Sequence, residues 1–175
     1  RCGASLVANP QADAYSAPAG SVLRAGRGGP TPSLTLRTDG IWTWFTTPEA
    51  IQLGDYLYVG WVDSTGKCGA TRLHIPSQVA QHFNLSAALE IDDHNNASMI
   101  ALPDGRQAWF YGIHNDTVFR YRVWDGTGPF DQASSWTAEQ LRGTGQGAYS
   151  YPKPFLFSGD SSGKLWTFWR RWTDG

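Results

Sequence analysis

The stretch Asp104-Gly105-Arg106-Gln107-Ala108-Trp109-Phe110-Tyr111-Gly112-Ile113 decides the fold of this chain. Its turn residues lead directly into a run of aromatic residues of the kind that favours β-strands, so the stretch predicts one arm of a hairpin. The pattern occurs twice more, because Gly54-Asp55 precedes the strand-like run Tyr56–Val62 and Ser162-Gly163-Lys164 precedes Leu165–Arg170. A hairpin that returns about every 50 residues is typical of the blades of a β-propeller.

Around these hairpins the sequence predicts further short strands and little helix. No long stretch has the 3.6-residue period of an amphipathic helix, and the most helix-like stretch is Ser77–Leu85. The other predicted strands are Trp42–Thr47, Ala70–Ile75, Ser98–Leu102, Val118–Val123 and Pro154–Phe157, with a short edge strand near Trp136–Leu141. We therefore predict an all-β fold, a β-propeller of four-stranded antiparallel blades. An ordinary β-sandwich is the alternative that strand spacing leaves open.

The size of one blade determines the expected organisation of the chain. Residues 1–40, which are rich in Ala, Gly, Pro and Ser, are predicted to form an irregular N-terminal arm. The remainder is predicted to be a partial propeller of about three blades, near 41–91, 92–145 and 146–175, with the last one incomplete. Propellers close with about four to eight blades. We therefore expect the remaining blades to come from a longer chain or from another copy.

The composition argues against several classes of function. The 175 residues are 41% hydrophobic and 17% charged, which is typical of a globular domain, and the formal net charge of -1 lacks the basic excess of a nucleic-acid-binding protein. No apolar run is long enough to span a membrane, so we expect no membrane partner. The nine Trp, seven Tyr and eight Phe fit either a β-sheet core or a sugar-stacking surface. Cys2 and Cys68 form either a disulfide, which suits an exported protein, or two free thiols.

Four polar elements carry the candidate chemistry: Asp92-Asp93-His94-Asn95-Asn96, His114, Tyr151-Pro152-Lys153-Pro154 and Phe168-Trp169-Arg170. Together they supply two imidazoles, a phenol and a guanidinium, which are suited to removing a proton from the carbon next to a carboxylate. In a uronic-acid polymer this chemistry is β-elimination, in which a base removes the C5 proton and an acid protonates the departing O4. An Arg suits the carboxylate because its guanidinium can bind both oxygens.

The order and spacing of these elements resemble those of the BNR-type β-propeller polysaccharide lyases, the group that includes the ulvan lyases. The resemblance runs from about Gly54 to Trp172, and its most specific part is the DDHN element followed, 20 positions after His94, by His114. The other matching segments are Tyr58–Asp63, Leu102–Arg106, Trp109–Asn115, Tyr149–Pro154 and Leu165–Arg170.

This resemblance implies a full-length protein with seven blades and an active-site groove over the central channel. It implies that His94 and Tyr151 act as base and acid, and that Arg170 neutralises the uronate carboxylate of an acidic polysaccharide. The residues predicted to bind substrate are His114, Asn95, Tyr149 and Arg171. We expect no cofactor and a secreted or periplasmic location. Because Arg170 and Arg171 are adjacent in a strand, they are expected to point to opposite faces.

The same residues also have structural interpretations. The adjacent aspartates can cap the loop that holds His94. Tyr151 is expected to be extended, because a proline follows it, and can pack between blades. Arg170 can form a structural ion pair with Asp63 or Asp93.

Two further functional interpretations stay open. His94, His114 and Asp92 can hold a metal such as zinc or calcium, since their loops are expected on neighbouring strands of one blade. A glycosidase pair is not predicted, because Asp92 and Asp93 are adjacent and would point to opposite faces of a strand. The competing prediction to a lyase is a non-catalytic propeller segment that serves glycan binding or structural assembly.

Overall fold

The computed structural model describes residues 34–41, 50–143, 148–156 and 164–172. Within these ranges the chain forms β-strands and two single turns of 3₁₀ helix, at Asp93–Asn95 and Ala133–Ser135. None of the described helices has the length and apolar character needed to cross a membrane. Residues 1–33 of the predicted arm and the predicted strand Trp42–Thr47 lie outside the described residues.

The strands form three consecutive antiparallel sheets. The first sheet contains β1 (Gly40–Ile41), β2 (Ala50–Leu53), β3 (Tyr56–Asp63), β4 (Lys67–His74) and β5 (Val79–Ala88). The second contains β6 (Ser98–Ala101), β7 (Gln107–Gly112), β8 (Phe119–Trp124) and β9 (Gln140–Arg142), and the third contains β10 (Ala148–Phe155) and β11 (Trp166–Trp172). In the first sheet β3 pairs with both β1 and β2. The remaining pairs of that sheet are β3 with β4 and β4 with β5. In the second sheet each strand pairs with the next one along the chain.

The predicted fold class is confirmed. The chain is all-β, and its antiparallel sheets, with five, four and two described strands in chain order, fit a partial propeller. The three recurring hairpin arms are β3, β7 and β11. Each is the second strand of its sheet when the strands are counted across the sheet from β1, β6 or β10. The division of the chain into an arm and three numbered blades stays a prediction.

Two stretches differ from their local sequence pattern. Ser77–Leu85, the most helix-like stretch, is mostly β5, which pairs along almost its whole length with β4, and Leu85 on it is fully buried. The predicted strand Pro154–Phe157 begins six residues earlier, at Ala148, because β10 pairs with β11 from that residue onward. In both cases pairing with a distant strand outweighs the weak local preference.

Six aromatic side chains are buried in a core to which both of the first two sheets contribute: Tyr58, Trp109, Tyr111, Trp124, Phe130 and Trp136. Phe130 lies at its centre, with ring centroids 5.1 Å from Trp136, 5.4 Å from Trp124 and 6.0 Å from Tyr58. Trp109 is fully buried beside it. These rings are packing residues, because they have no surface to offer a sugar.

The three sheets dock through close backbone contacts. Gly60 on β3 faces the carbonyl of Ala97, where a β-carbon on Gly60 would lie only 1.9 Å from the Ala97 oxygen. The third sheet docks on the second where the Asn115 amide donates to the Ser150 hydroxyl at 2.9 Å and the Tyr149 amide donates to the Asp116 carbonyl at 2.6 Å. These contacts bring the loop that follows β7 next to the first residues of β10.

Cys68 is a buried, free thiol. Its Sγ donates to the Asn95 carbonyl at 3.0 Å, and burial raises the pKa of the thiol to about 12. Cys2 lies outside the described residues.

Candidate functional site

The site is built around one carboxylate that two imidazoles share. Asp92 precedes the short 3₁₀ turn and caps it, since its Oδ1 accepts from the His94 amide at 2.8 Å. The same Oδ1 contacts the Nδ1 of His94, and its Oδ2 lies 3.4 Å from the Nδ1 of His114. The two imidazole rings stack with their centroids 4.0 Å apart and their planes 12° apart. Both the capping interpretation of Asp92 and the proximity of the two histidines are therefore confirmed.

The contacts of the two rings define where their protons lie. Arg170 Nη2 lies 3.0 Å from His114 Nε2, and because a guanidinium can only donate, that nitrogen must accept. The proton of a neutral His114 then lies on Nδ1, which faces Asp92. An ionised Asp92 can likewise only accept from the Nδ1 of His94, so the lone pair of a neutral His94 lies on Nε2.

Asp92 is ionised more easily than an ordinary aspartate. Partial burial opposes its ionisation, but hydrogen bonds from the His94 amide and ring, together with the charges of the two imidazoles, outweigh it and lower its pKa. The carboxylate therefore stays negative at neutral pH and can orient both rings. Its side chain is 22% exposed, against 17% for His94 and 29% for His114, so the cluster is accessible from solvent without being fully hydrated.

A β-bulge aims Tyr151 at this cluster. Ser150 pairs with Arg170 and Lys153 with Phe168, so two residues of β10 oppose one residue of β11 between these pairs. Tyr151 has φ of 58°, so the prediction that it is extended is wrong. The bulge, and not the following proline, determines its backbone. As a result the Tyr151 ring lies with its centroid 5.0 Å from that of His94.

Arg170 completes the cluster from β11. Besides its contact with His114, its guanidinium carbon lies 5.0 Å from the centroid of the Tyr151 ring. The predicted structural pair with Asp63 is not what the structure shows, because Asp63 accepts from Thr65 and lies 3.9 Å from Arg37. Arg170 is exposed, so solvent reaches this part of the cluster.

The other residues predicted to bind substrate are placed differently. Asn95 is fully buried, and its Nδ2 donates to the Glu90 carbonyl at 3.1 Å, which supports the loop beneath the histidines. Tyr149 is 5% exposed and lies below the surface beside Asp116. The side chain of Arg171 lies outside the described part of the structure. The structure thus brings together His94, His114, Tyr151 and Arg170, whereas substrate contacts from the other three stay predictions.

Sequence reasoning missed two residues that support the site. Glu90 joins its two halves, because its carboxylate accepts from the His114 amide at 3.1 Å while its carbonyl accepts from Asn95. Lys153 is half-buried on β10, its Nζ donates to the Ser98 hydroxyl at 3.1 Å, and desolvation lowers its pKa to about 8. Nothing local in the sequence marks Glu90, whereas the position of Lys153 within the Tyr-Pro-Lys-Pro element was a usable signal.

Comparison with known proteins identifies the family. Residues 56–175 match the model of the BNR repeat-containing family, which is more than half of the chain. The chain belongs to the BNR repeat-containing family. The match includes both histidines, Tyr151 and Arg170, so the whole cluster lies inside the BNR region.

Solved structures similar to this BNR-repeat chain include two of the PL25 ulvan lyase, one of them bound to -[GlcA(1-4)Rha3S]-. Each is 14% identical to it, with a TM-score of 0.48, and the match covers 70% of this chain and 31% of that chain. The BNR-repeat chain therefore spans about a third of the length of these structures. No curated protein matches it.

The arrangement offers the BNR-repeat protein a defined set of chemical groups. It contains an oriented imidazole that can accept a proton, a phenol beside it that can donate one, and a fixed cation that can hold an anion.

Proposed function

We propose that the protein is a polysaccharide lyase that cleaves a uronic-acid-containing polysaccharide by β-elimination. The observation that carries this proposal is the contact of His94, His114, Tyr151 and Arg170 around one carboxylate. These side chains come from four separate segments of the chain, and only a tertiary arrangement can bring them together. We further propose that the protein acts outside the cytoplasm, as a secreted or periplasmic enzyme within a larger propeller, because its polymeric substrate cannot readily enter a cell.

In the proposed reaction Arg170 binds the uronate carboxylate and stabilises the negative charge that develops on it. The Nε2 of His94 removes the C5 proton, and the electron pair of that C–H bond forms the C4=C5 double bond. The C4–O4 bond breaks, and the Tyr151 hydroxyl donates its proton to O4. No water is consumed, and the products are a chain with a new reducing end and a chain that begins with an unsaturated uronate.

Asp92 and His114 have positioning roles in this scheme. Asp92 holds the proton of His94 on Nδ1, which directs the lone pair on Nε2 away from the carboxylate. His114 accepts from Arg170 and so limits the directions in which the guanidinium can point. Preorganisation of this kind is usually a large part of enzymatic rate enhancement.

The experiment is to incubate the full-length protein with a panel of uronans, including a polymer of the -[GlcA(1-4)Rha3S]- repeat, and to follow the ultraviolet absorbance of the unsaturated product. We expect the wild type to produce it and His94→Ala to lose activity by at least about 100-fold. His74→Ala is the matched control, because His74 lies in the first sheet and contacts Ser77, away from the cluster. No absorbance with any uronan would refute the lyase and favour a glycan-binding or assembly role.

A further inference from the structure

The cluster of Asp92, His94 and His114 has a second capacity that proton transfer does not require. Each of the three side chains offers a ligand atom, and these atoms all lie within 4.8 Å of one another. We propose that the three residues form a binding site for a divalent transition metal of the zinc class, and that the bound metal blocks the proton-transfer role of the same residues. The binding itself does not depend on the proposed lyase activity, whereas the inhibition rests on it.

The distances suit a small ion. Two ligands of a tetrahedral zinc lie about 3.4 Å apart when each metal–ligand bond is about 2.1 Å. The separation of His114 Nδ1 and Asp92 Oδ2 is 3.4 Å. His94 Nδ1 lies closer to Asp92, so an outward rotation of its ring is needed to admit the ion.

The donor set selects the class of metal. Two imidazole nitrogens and one carboxylate oxygen suit zinc, cobalt, nickel or copper, whereas calcium and magnesium prefer a shell made entirely of oxygen ligands. Three protein ligands leave a fourth position for water or for a substrate oxygen. The partial exposure of the three side chains, 17–29%, gives an ion a route to the site.

Arg170 opposes the metal in two ways. Its positive charge lies at the edge of the site, 3.0 Å from the Nε2 of His114. It also requires that Nε2 accept a hydrogen bond, which keeps the proton of His114 on Nδ1, the nitrogen that the metal needs. When a metal binds Nδ1 the proton must lie on Nε2, where it faces the guanidinium. Metal binding and the Arg170–His114 contact are therefore mutually exclusive.

Because of this exclusion, removing a ligand residue and removing Arg170 should change the metal affinity in opposite directions. Co²⁺ is titrated into metal-free protein, its visible absorption reports coordination, and Zn²⁺ is then used to displace it. We expect one Co²⁺ per chain, and a weakening of at least about tenfold in Asp92→Asn and in His114→Gln. Arg170→Ala is expected to bind the metal more tightly than the wild type does. His74→Ala, outside the cluster, is expected to leave the affinity unchanged.

The proposal is overturned if no stoichiometric Co²⁺ spectrum forms, if both ligand variants bind as the wild type does while retaining its circular dichroism, or if Arg170→Ala weakens binding. Inhibition is measured separately: Zn²⁺ should stop uronan cleavage, and a chelator should restore it. A protein that binds Co²⁺ but cleaves no uronan refutes only the lyase. A protein that cleaves uronans but binds no Co²⁺ refutes only the metal site.

Discussion

Replacing Gly60 with alanine tests the contact on which the position of the site loop depends. Gly60 lies on β3 against Ala97, which directly follows the loop of Asp92 and His94. The added β-carbon would lie 1.9 Å from the Ala97 carbonyl oxygen and 2.8 Å from its carbon. An ordinary contact begins at 3.4 Å, so the two backbones must separate by about 1.5 Å.

The loss of stability in Gly60→Ala depends on the atoms that the added β-carbon meets. Overpacking a core usually costs about 1–3 kcal/mol, and the upper end applies here because the obstacle is backbone and cannot change rotamer. We expect Gly60→Ala to lower the free energy of unfolding by about 3 kcal/mol, which corresponds to a fall in Tm of about 6–12 °C for a chain of this size. Urea denaturation and thermal melting followed by circular dichroism measure both quantities.

Gly112→Ala is the matched control. Gly112 also lies in a strand, at the end of β7, but nothing lies within 4 Å of the position of its β-carbon. We expect this variant to range from unchanged to about 1 kcal/mol more stable, because alanine restricts the unfolded chain. If the two variants melt within about 2 °C of each other, the close approach of β3 to Ala97 is wrong.

Three further predictions follow from the site and the core. Arg170→Lys keeps the charge but loses the guanidinium fork, so uronan cleavage should fall by at least about tenfold, and an unchanged kcat/KM would contradict the role of the fork. The pKa of Lys153 is lowered to about 8 from 10.5, so the unfolded chain binds more protons between these values and stability rises with pH across that window. Lys153→Met should therefore be more stable at pH 7, by about 1 kcal/mol because solvent screens this partly exposed side chain, and should show less of this rise in urea denaturation, whereas equal pH slopes would contradict it. In a Cys2→Ser background, Cys68 should react with a thiol reagent only as fast as the protein unfolds, because it is buried and its pKa is about 12; rapid labelling of the native protein would contradict its burial.

The recurring hairpins were predictable because their information is local. Turn residues followed by aromatic strands identify β3 and β7 within a few residues of their observed limits. The stretch that became β5 was not predictable in this way, since its strand conformation depends on pairing with β4. Local propensity is weak there, and a long antiparallel ladder outweighs it.

The candidate site was likewise predictable in part from the sequence. The types of residue and their order along the chain predicted a cluster of His94, His114, Tyr151 and Arg170, and these four side chains are in contact. The sequence did not reveal that Asp92 serves both imidazoles, because each of the two contacts depends on how the end of β7 docks beside the loop before β6.

The sequence by itself determined that the chain is all-β, that its hairpins repeat, and which polar groups supply the candidate chemistry. Only the tertiary structure decided that Tyr151 turns toward His94 through a bulge, and that Arg170 reaches His114 across 56 positions of chain. The reason is physical. Strand and turn preferences act between neighbours in the chain, whereas the docking of one sheet on another sums many weak contacts between distant residues.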